Sequence, residues 1–375
     1  MKKCIVISDS FKGTLSSVEI CRIARNTIPA FFPECQVTGI PVADGGEGTV
    51  DCFREAIGAE PVTVPVRGPY NKTVQATYAR KDSLAVIEMA AAAGLPLAGD
   101  HGDPSAATTY GVGQIILHAV ENGCKDILLG IGGSATNDGG CGCAAALGTR
   151  FYGENGDTFV PVGGTLGNIR HFDITETKKL LAGVRITVMC DVENPLYGPD
   201  GAAYVFAPQK GADQAMVQRL DHQLRALDRM FLQELGTSFA ETSGAGAAGG
   251  LGAGCMAFLG AELRSGIEAV LDTVDFDGQV QNADLVITGE GRIDSQSIHG
   301  KVISGIARRT RGAGVPLLAI VGGIDESSAG AYDLGVTAMF SINREAKSFA
   351  ESAPQSAENY RRTLADICRL LRAMT

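Results

Sequence analysis

Residues 126–140 read DILLGIGGSATNDGG. An apolar run of strand length, Asp126 to Leu129, opens into a loop in which five of the eleven residues from Gly130 to Gly140 are glycine. Glycine is used where backbone must turn sharply or come close to something else. The Asn137–Asp138 pair near the end of the loop adds polar side chains. Taken alone, the stretch fits a phosphate cradle and fits equally the tight turn that an α/β protein makes after a buried strand. The remainder of the chain has to separate the two.

The same grammar recurs at both ends of the sequence. Lys3 to Ser8 is an apolar run of strand length, followed by a turn and by Ser16 with Glu19 three residues on, a capping box. The helix so started runs toward Phe32 and stops at Pro33. Gln36 to Val42 is a second strand, ending in ADGGEG. Near the C-terminus, Ala283 to Thr288, Val315 to Val321 and Val336 to Ile342 are strands, with a helix from about Lys301 to Arg311 between the first two. Tyr360 to Ala373 carries Leu364, Ile367, Cys368, Leu370 and Leu371 at helical spacing. Strand–helix alternation of this kind predicts a parallel sheet with helices on both faces.

The middle is mixed. Residues 61–90 have antiparallel character around a Gly-Pro turn, residues 184–210 are strand-rich, and residues 213–235 form an amphipathic helix whose stripe is core packing. The expected fold class is therefore α/β with two domains. A discontinuous Rossmann- or flavodoxin-like parallel-sheet domain is expected from residues 1–62 plus 282–375. A mixed α/β domain, residues 63–281, is expected to be inserted into it.

Composition narrows the function. The 375 residues are 45% hydrophobic and 20% charged, an ordinary globular balance. Glycine is in excess, 49 residues clustered after apolar runs, which suits an enzyme with many strand-to-helix turns. A net charge of −10 argues against nucleic-acid or anionic-membrane partners. Ten scattered cysteines without a CxxC pair, and five scattered histidines, make no zinc constellation and suit small buried side chains in a reducing cytoplasm. The apolar part of the N-terminus is too short for a secretory signal, and no apolar run reaches 18 residues.

The polar residues at the end of each apolar run carry the information. The runs end in Ser8-Asp9-Ser10 before Lys12, in Asp44-Gly45-Gly46-Glu47, in the glycine loop with Asn137 and Asp138, in Asp191-Val192-Glu193-Asn194-Pro195, and in Gly289-Glu290-Gly291-Arg292-Ile293-Asp294. In open α/β sheets ligands bind beyond the carboxyl ends of the strands. Each loop by itself is ordinary turn chemistry. Five of them together, carboxylates with lysines nearby, suit a metal–phosphate complex and a hydroxyl to be deprotonated. Standard nucleotide motifs are missing. Gly300-Lys301 lacks the upstream glycine and the following Ser or Thr of a Walker A loop. The GxGxxG at Gly244–Gly249 follows FAETS rather than a buried strand, so it is read as a closely packed helix start or as another type of phosphate loop. No GxSxG elbow supports a serine nucleophile.

Seven segments in order, DSFKGTLSS (9–17), PVADGGEGTVD (41–51), GIGGSATNDGG (130–140), CDVENPLYG (190–198), FAPQKGA (206–212), GAGAAGGLGAG (244–254) and VITGEGRIDSQSIHGK (286–301), resemble the glycerate kinase type 1 family, the bacterial glycerate 2-kinases. They span nearly the whole chain and show no departure at their polar positions. The resemblance implies a two-domain α/β enzyme that moves the γ-phosphoryl of ATP, with Mg2+, to D-glycerate. It implies 2-phosphoglycerate as product, with 3-phosphoglycerate left open. The competing readings are a nicotinamide-dependent hydroxy-acid dehydrogenase, which lacks its fingerprint on the first strand, and a non-catalytic two-lobed sugar-acid binder. The sequence leaves open whether the chain forms a homo-oligomer.

Within that resemblance, phosphoryl transfer asks for a base, cations and a phosphate cradle. Asp191 is the expected base, with Asp294 and Asp44 as rivals. Lys12 and Lys301 are the expected cations, with Arg292 and Lys210 behind them. Gly132, Gly133, Ser134, Thr136 and Asn137, at an expected helix start, are assigned to the ATP phosphates. Asp44, Gly45, Gly46, Glu47 and Arg292 are assigned to the substrate, and Glu290 and Asp294 to Mg2+.

Overall fold

The structure, a computed structural model, describes residues 1–43, 45–46, 48–99, 102–294 and 302–374. The chain forms two compact units. One comprises Met1–Ala43, Asp51–Gly58 and Ile267–Thr375, the other Asp44–Val50 and Ala59–Gly266.

The first unit is built on a five-stranded, wholly parallel sheet. Its order is Val336–Ser341, Leu317–Val321, Leu285–Thr288, Lys3–Ser8, Gln36–Pro41. Sheets of this kind are covered on both faces, which is why the central strands are near-continuous apolar runs. Ile5, Val6, Val286 and Ile320 are fully buried. The helix Ser17–Thr27 starts at the expected capping box of Ser16 and Glu19 and buries Ile20, Cys21 and Ala24. The last helix, Ser356–Met374, packs Tyr360, Leu364, Ile367 and Cys368 into the same core. From Lys3–Ser8 the chain builds outward in one direction, and from Leu285–Thr288 in the other. The switch point, the usual ligand position in such sheets, therefore lies at the carboxyl ends of these two strands.

The second unit holds a six-stranded mixed sheet. Glu262–Arg264, Arg185–Met189, Asp126–Gly130 and Leu84–Glu88 run parallel, and Thr73–Lys81 and Glu60–Arg67 continue the sheet antiparallel. A three-stranded sheet and the long helix Gln214–Leu235 close a second cluster, where Phe231 meets Phe258 edge-on at 5.2 Å. The amphipathic stripe is core, with Val217, Leu220, Leu224, Leu227 and Phe231 buried.

One sequence expectation needs correction. Residues 184–210 are not strand-rich. After Arg185–Met189 the chain turns into the short helix Ala202–Phe206 and the 3-10 turn Pro208–Lys210. Short apolar runs such as AAYVF do not distinguish strand from helix, and here contact with the long helix decides. Among the described residues no helix is long and apolar enough to cross a membrane.

Candidate functional site

The strand Asp126–Gly130 delivers the glycine loop to the end of the second unit's sheet, where the Gly45–Gly46 turn lies against it. Gly132 N–H donates to the Gly45 carbonyl at 3.1 Å. A Cβ on Gly132 would stand 2.7 Å from Gly46 Cα, so a side chain there would push the two loops apart.

Asp138 holds the loop from behind. It is fully buried and accepts hydrogen bonds from Thr109 N at 2.7 Å, Thr109 Oγ1 at 2.9 Å, Gly140 N at 3.2 Å and Gly142 N at 3.3 Å. Burial raises its pKa, and these bonds work in the opposite direction. The expected helix start is real but short, Cys141–Ala146, and its leading amides are used internally: Gly142 N by Asp138 and Cys143 N by Thr109 Oγ1 at 2.9 Å. These leading amides are therefore spent on the fold.

In front of the loop is a cavity of about 280 Å³. Its walls include Gly46, Gly132, Gly133 and Ser134, the apolar Ile131, Met189, Val192 and Phe206, and Cys190 and Asp191. Asp191 is exposed and accepts a hydrogen bond from Gly266 N at 2.9 Å. Thr136 and Asn137 are fully buried and do not line the cavity. Among the described residues, Thr136 Oγ1 and both polar atoms of the Asn137 amide lack a hydrogen-bond partner.

The cation in this cavity wall is Lys210, which the sequence placed behind Lys12 and Lys301. The 3-10 turn buries it to 3% exposure in the cavity wall, and its Nζ donates to Ser134 Oγ and to the Thr136 carbonyl, both at 2.7 Å. Burial pulls its pKa down to about 7, and the negative charge of Asp138 offsets part of that. The available signal was a lone cation between the apolar pairs Phe206-Ala207 and Gly211-Ala212. Its long-range reach to Ser134 was not readable.

The GxGxxG segment packs on the glycine loop and also reaches the cavity. Ala248, Gly249 and Gly250 are all left-handed, and Ala247 and Ala248 line the cavity. A Cβ on Gly249 would sit 2.1 Å from the Thr136 carbonyl oxygen, and Gly139 N donates to the Gly249 carbonyl at 3.1 Å. These glycines allow two backbones to touch. They do not form a dinucleotide turn after a strand.

The first unit carries its own cluster at the switch point. Ser8 Oγ donates to the Gly289 carbonyl at 3.0 Å, as does Asp9 N at 2.9 Å. The Gly291 turn lies beside Phe11 and Lys12. Lys12 is exposed, Glu290 is buried, Asp294 is half-buried, and Arg292 is exposed and ion-paired with Asp325. Gly45 belongs to the second unit and packs against Gly130 and Met189 within it. Asp44, Glu47 and Lys301 lie outside the described residues. Among the described residues no group of three or more His, Cys, Asp or Glu side chains is gathered to hold a metal.

Comparison with known proteins covers nearly the whole chain. A family model described as the glycerate kinase family matches residues 4–372. A glycerate kinase of Bacillus cereus is 41% identical over 368 residues, 97% of either chain. A glycerate 2-kinase of Escherichia coli is 41% identical over 343 residues, 91% of this chain and 90% of its own. A solved structure from Salmonella typhimurium, assigned as glycerate kinase 2, superposes with a TM-score of 0.88 at 39% identity, covering 99% of this chain and 98% of that one.

Proposed function

The chain belongs to the glycerate kinase family, and from that premise we propose that it transfers the γ-phosphoryl group of ATP to the 2-hydroxyl of D-glycerate, with Mg2+ carried on the nucleotide, releasing ADP and 2-phosphoglycerate. The name of the Escherichia coli relative, a glycerate 2-kinase, supports the choice of hydroxyl. The observation that carries the reading is one cavity whose wall holds an exposed carboxylate, Asp191, together with a buried cation and hydroxyl, Lys210 and Ser134. Such a cavity joins a proton acceptor to an anion site.

Phosphoryl transfer is mainly positioning and charge neutralisation, so the protein's groups divide by those tasks. Asp191 orients the acceptor hydroxyl and takes its proton. The Gly133 amide and the Ser134 hydroxyl hold ATP phosphates, Gly132 keeps the loop tight against the Gly45–Gly46 turn through its bond to the Gly45 carbonyl, and Thr136 and Asn137 lie buried, off the cavity lining. The turn containing Gly45 and Gly46, with Asp44 and Glu47, addresses glycerate, as does Arg292. Lys12 and Lys301 supply positive charge.

Glu290 and Asp294 are hard oxygen donors in one strand-end loop. Mg2+ takes oxygen ligands and is usually held by one or two carboxylates plus substrate phosphates, so this pair fits an ion that arrives on ATP. When bound, the ion neutralises charge on the transferring group. The ten thiols, none in a disulfide, suit the cytoplasm, where we place the enzyme.

The test is to mix the enzyme with ATP, Mg2+ and D-glycerate and measure ADP, omitting each component in turn. ADP should form only with all of them present. Absence of ADP, or reduction of a nicotinamide cofactor with hydroxy acids, refutes the proposal.

A further inference from the structure

Lys210 is the only buried lysine among the described residues, and lysine is rarely buried without a charged partner. It has no ion pair among the described residues. Its two hydrogen-bond partners, Ser134 Oγ and the Thr136 carbonyl, are neutral. An ammonium has three donors, so one position remains in a side chain that lines the cavity. Ser134 Oγ accepts from Lys210, which leaves its own hydroxyl hydrogen to donate to a ligand.

The titratable groups around Lys210 are Asp138, whose charge acts on it, and Cys190 and Asp191, which line the same cavity. Asp138 is fully buried and already engaged by Thr109, Gly140 and Gly142. Burial keeps the Cys190 thiol raised and therefore neutral. Asp191 is exposed in the cavity wall. The Gly102 backbone touches the backbone of Lys210, and the neighbouring Asp103 carboxylate is held by Ser105. The walls from Ala247, Ala248, Ile131, Met189 and Phe206 carry no charge. The cavity thus presents a buried amine in want of a counter-charge.

We propose that Lys210 and Ser134 form a seat for a phosphate of the bound nucleotide, and that Lys210 takes up one proton from solvent as that phosphate arrives. The bond formed is Nζ–H, and the proton comes from the buffer. The proposal rests on the reading of Gly132–Ser134 as the ATP-phosphate loop. Burial sets the free amine near pH 7, and an adjacent phosphate favours the charged form and moves the amine back up.

The experiment is isothermal titration of the full-length enzyme with ATP, without glycerate, at pH 8.0 in two buffers of different ionisation enthalpy. Wild type should take up about 0.9 proton per ATP, the fraction of a group titrating near 7 that is neutral at that pH. Lys210→Arg should bind ATP without this uptake, because a guanidinium stays charged. Equal uptake in wild type and Lys210→Arg overturns the proposal while leaving ATP as donor. No ATP binding to wild type overturns the nucleotide reading itself. Uptake that depends on Lys210 with D-glycerate rather than ATP overturns the phosphate assignment. Should the variant fail to fold, wild type alone decides: its Kd for ATP should rise about tenfold per pH unit between 8 and 9, and a flat Kd overturns the proposal.

Discussion

Replacing Lys210 by methionine should change the way stability depends on pH. In the folded chain burial holds the amine near 7, whereas in the unfolded chain a lysine titrates near about 10.4. Between those values the unfolded state binds a proton that the folded state does not. Stability therefore rises with pH across this window, by about 1.4 kcal/mol per pH unit. The cost of burying the cation is fully present below pH 7 and disappears as pH climbs toward 10. From pH 7 to pH 9 this one side chain should add about 2–3 kcal/mol to the stability of the wild type. Lys210→Met has no such contribution. The bonds it loses to Ser134 and the Thr136 carbonyl shift its whole curve without adding a slope. The assay is urea denaturation followed by far-ultraviolet circular dichroism at pH 7, 8 and 9, without nucleotide. The difference between wild type and variant isolates Lys210, since the other ionisable groups are common to both. Wild type should gain on the variant with each pH unit. Two parallel profiles would show that the buried amine titrates as an ordinary lysine, and the argument about the cavity's charge would fall.

Other consequences are equally direct. Asp138→Ala leaves the buried amides of Thr109, Gly140 and Gly142 without their acceptor and should cost about 3–5 kcal/mol in urea denaturation; a loss under about 1 kcal/mol would deny it the pinning role. Gly249→Ala places a Cβ 2.1 Å from the Thr136 carbonyl oxygen at φ +67, so it should destabilise by at least about 2 kcal/mol and raise the KM for ATP. Gly58→Ala, at φ +68 with nothing within 4 Å, is its control and should cost only the left-handed strain of about 1 kcal/mol; equal losses would mean that the contact with Thr136 is unimportant. Asp191→Asn should lower kcat by about 10²–10⁴ with an unchanged circular dichroism spectrum, and near-normal turnover would remove it as the base.

Most of the sheet framework was legible because its signals are local. Lys3–Ser8 is a short apolar run, the helix after it is announced by Ser16 and Glu19, and the long helix carries its stripe from Val217 to Phe231. The segment from Ala202 to Lys210 was not legible, since its apolar residues satisfy strand and helix equally until the long helix packs on them. At the site, three of the five polar strand ends come together, with Gly46, Gly132, Gly133, Ser134 and Asp191 lining one cavity. The internal use of the loop was hidden. Asp138 reaches 29 residues back to Thr109, and Lys210 reaches 76 residues back to Ser134. No local pattern encodes either reach. GIGGSATNDGG is thus a turn pinned from behind by Asp138 and a cavity wall in front, with a lysine brought to it from a distant turn.

Incubating the enzyme with ATP, Mg2+ and D-glycerate and identifying the product by phosphorus NMR tests the transfer itself. ADP and 2-phosphoglycerate should form in equal amounts. Phosphate found on the 3-hydroxyl would contradict the assigned acceptor, and no phosphorylated glycerate at all would contradict the proposed activity.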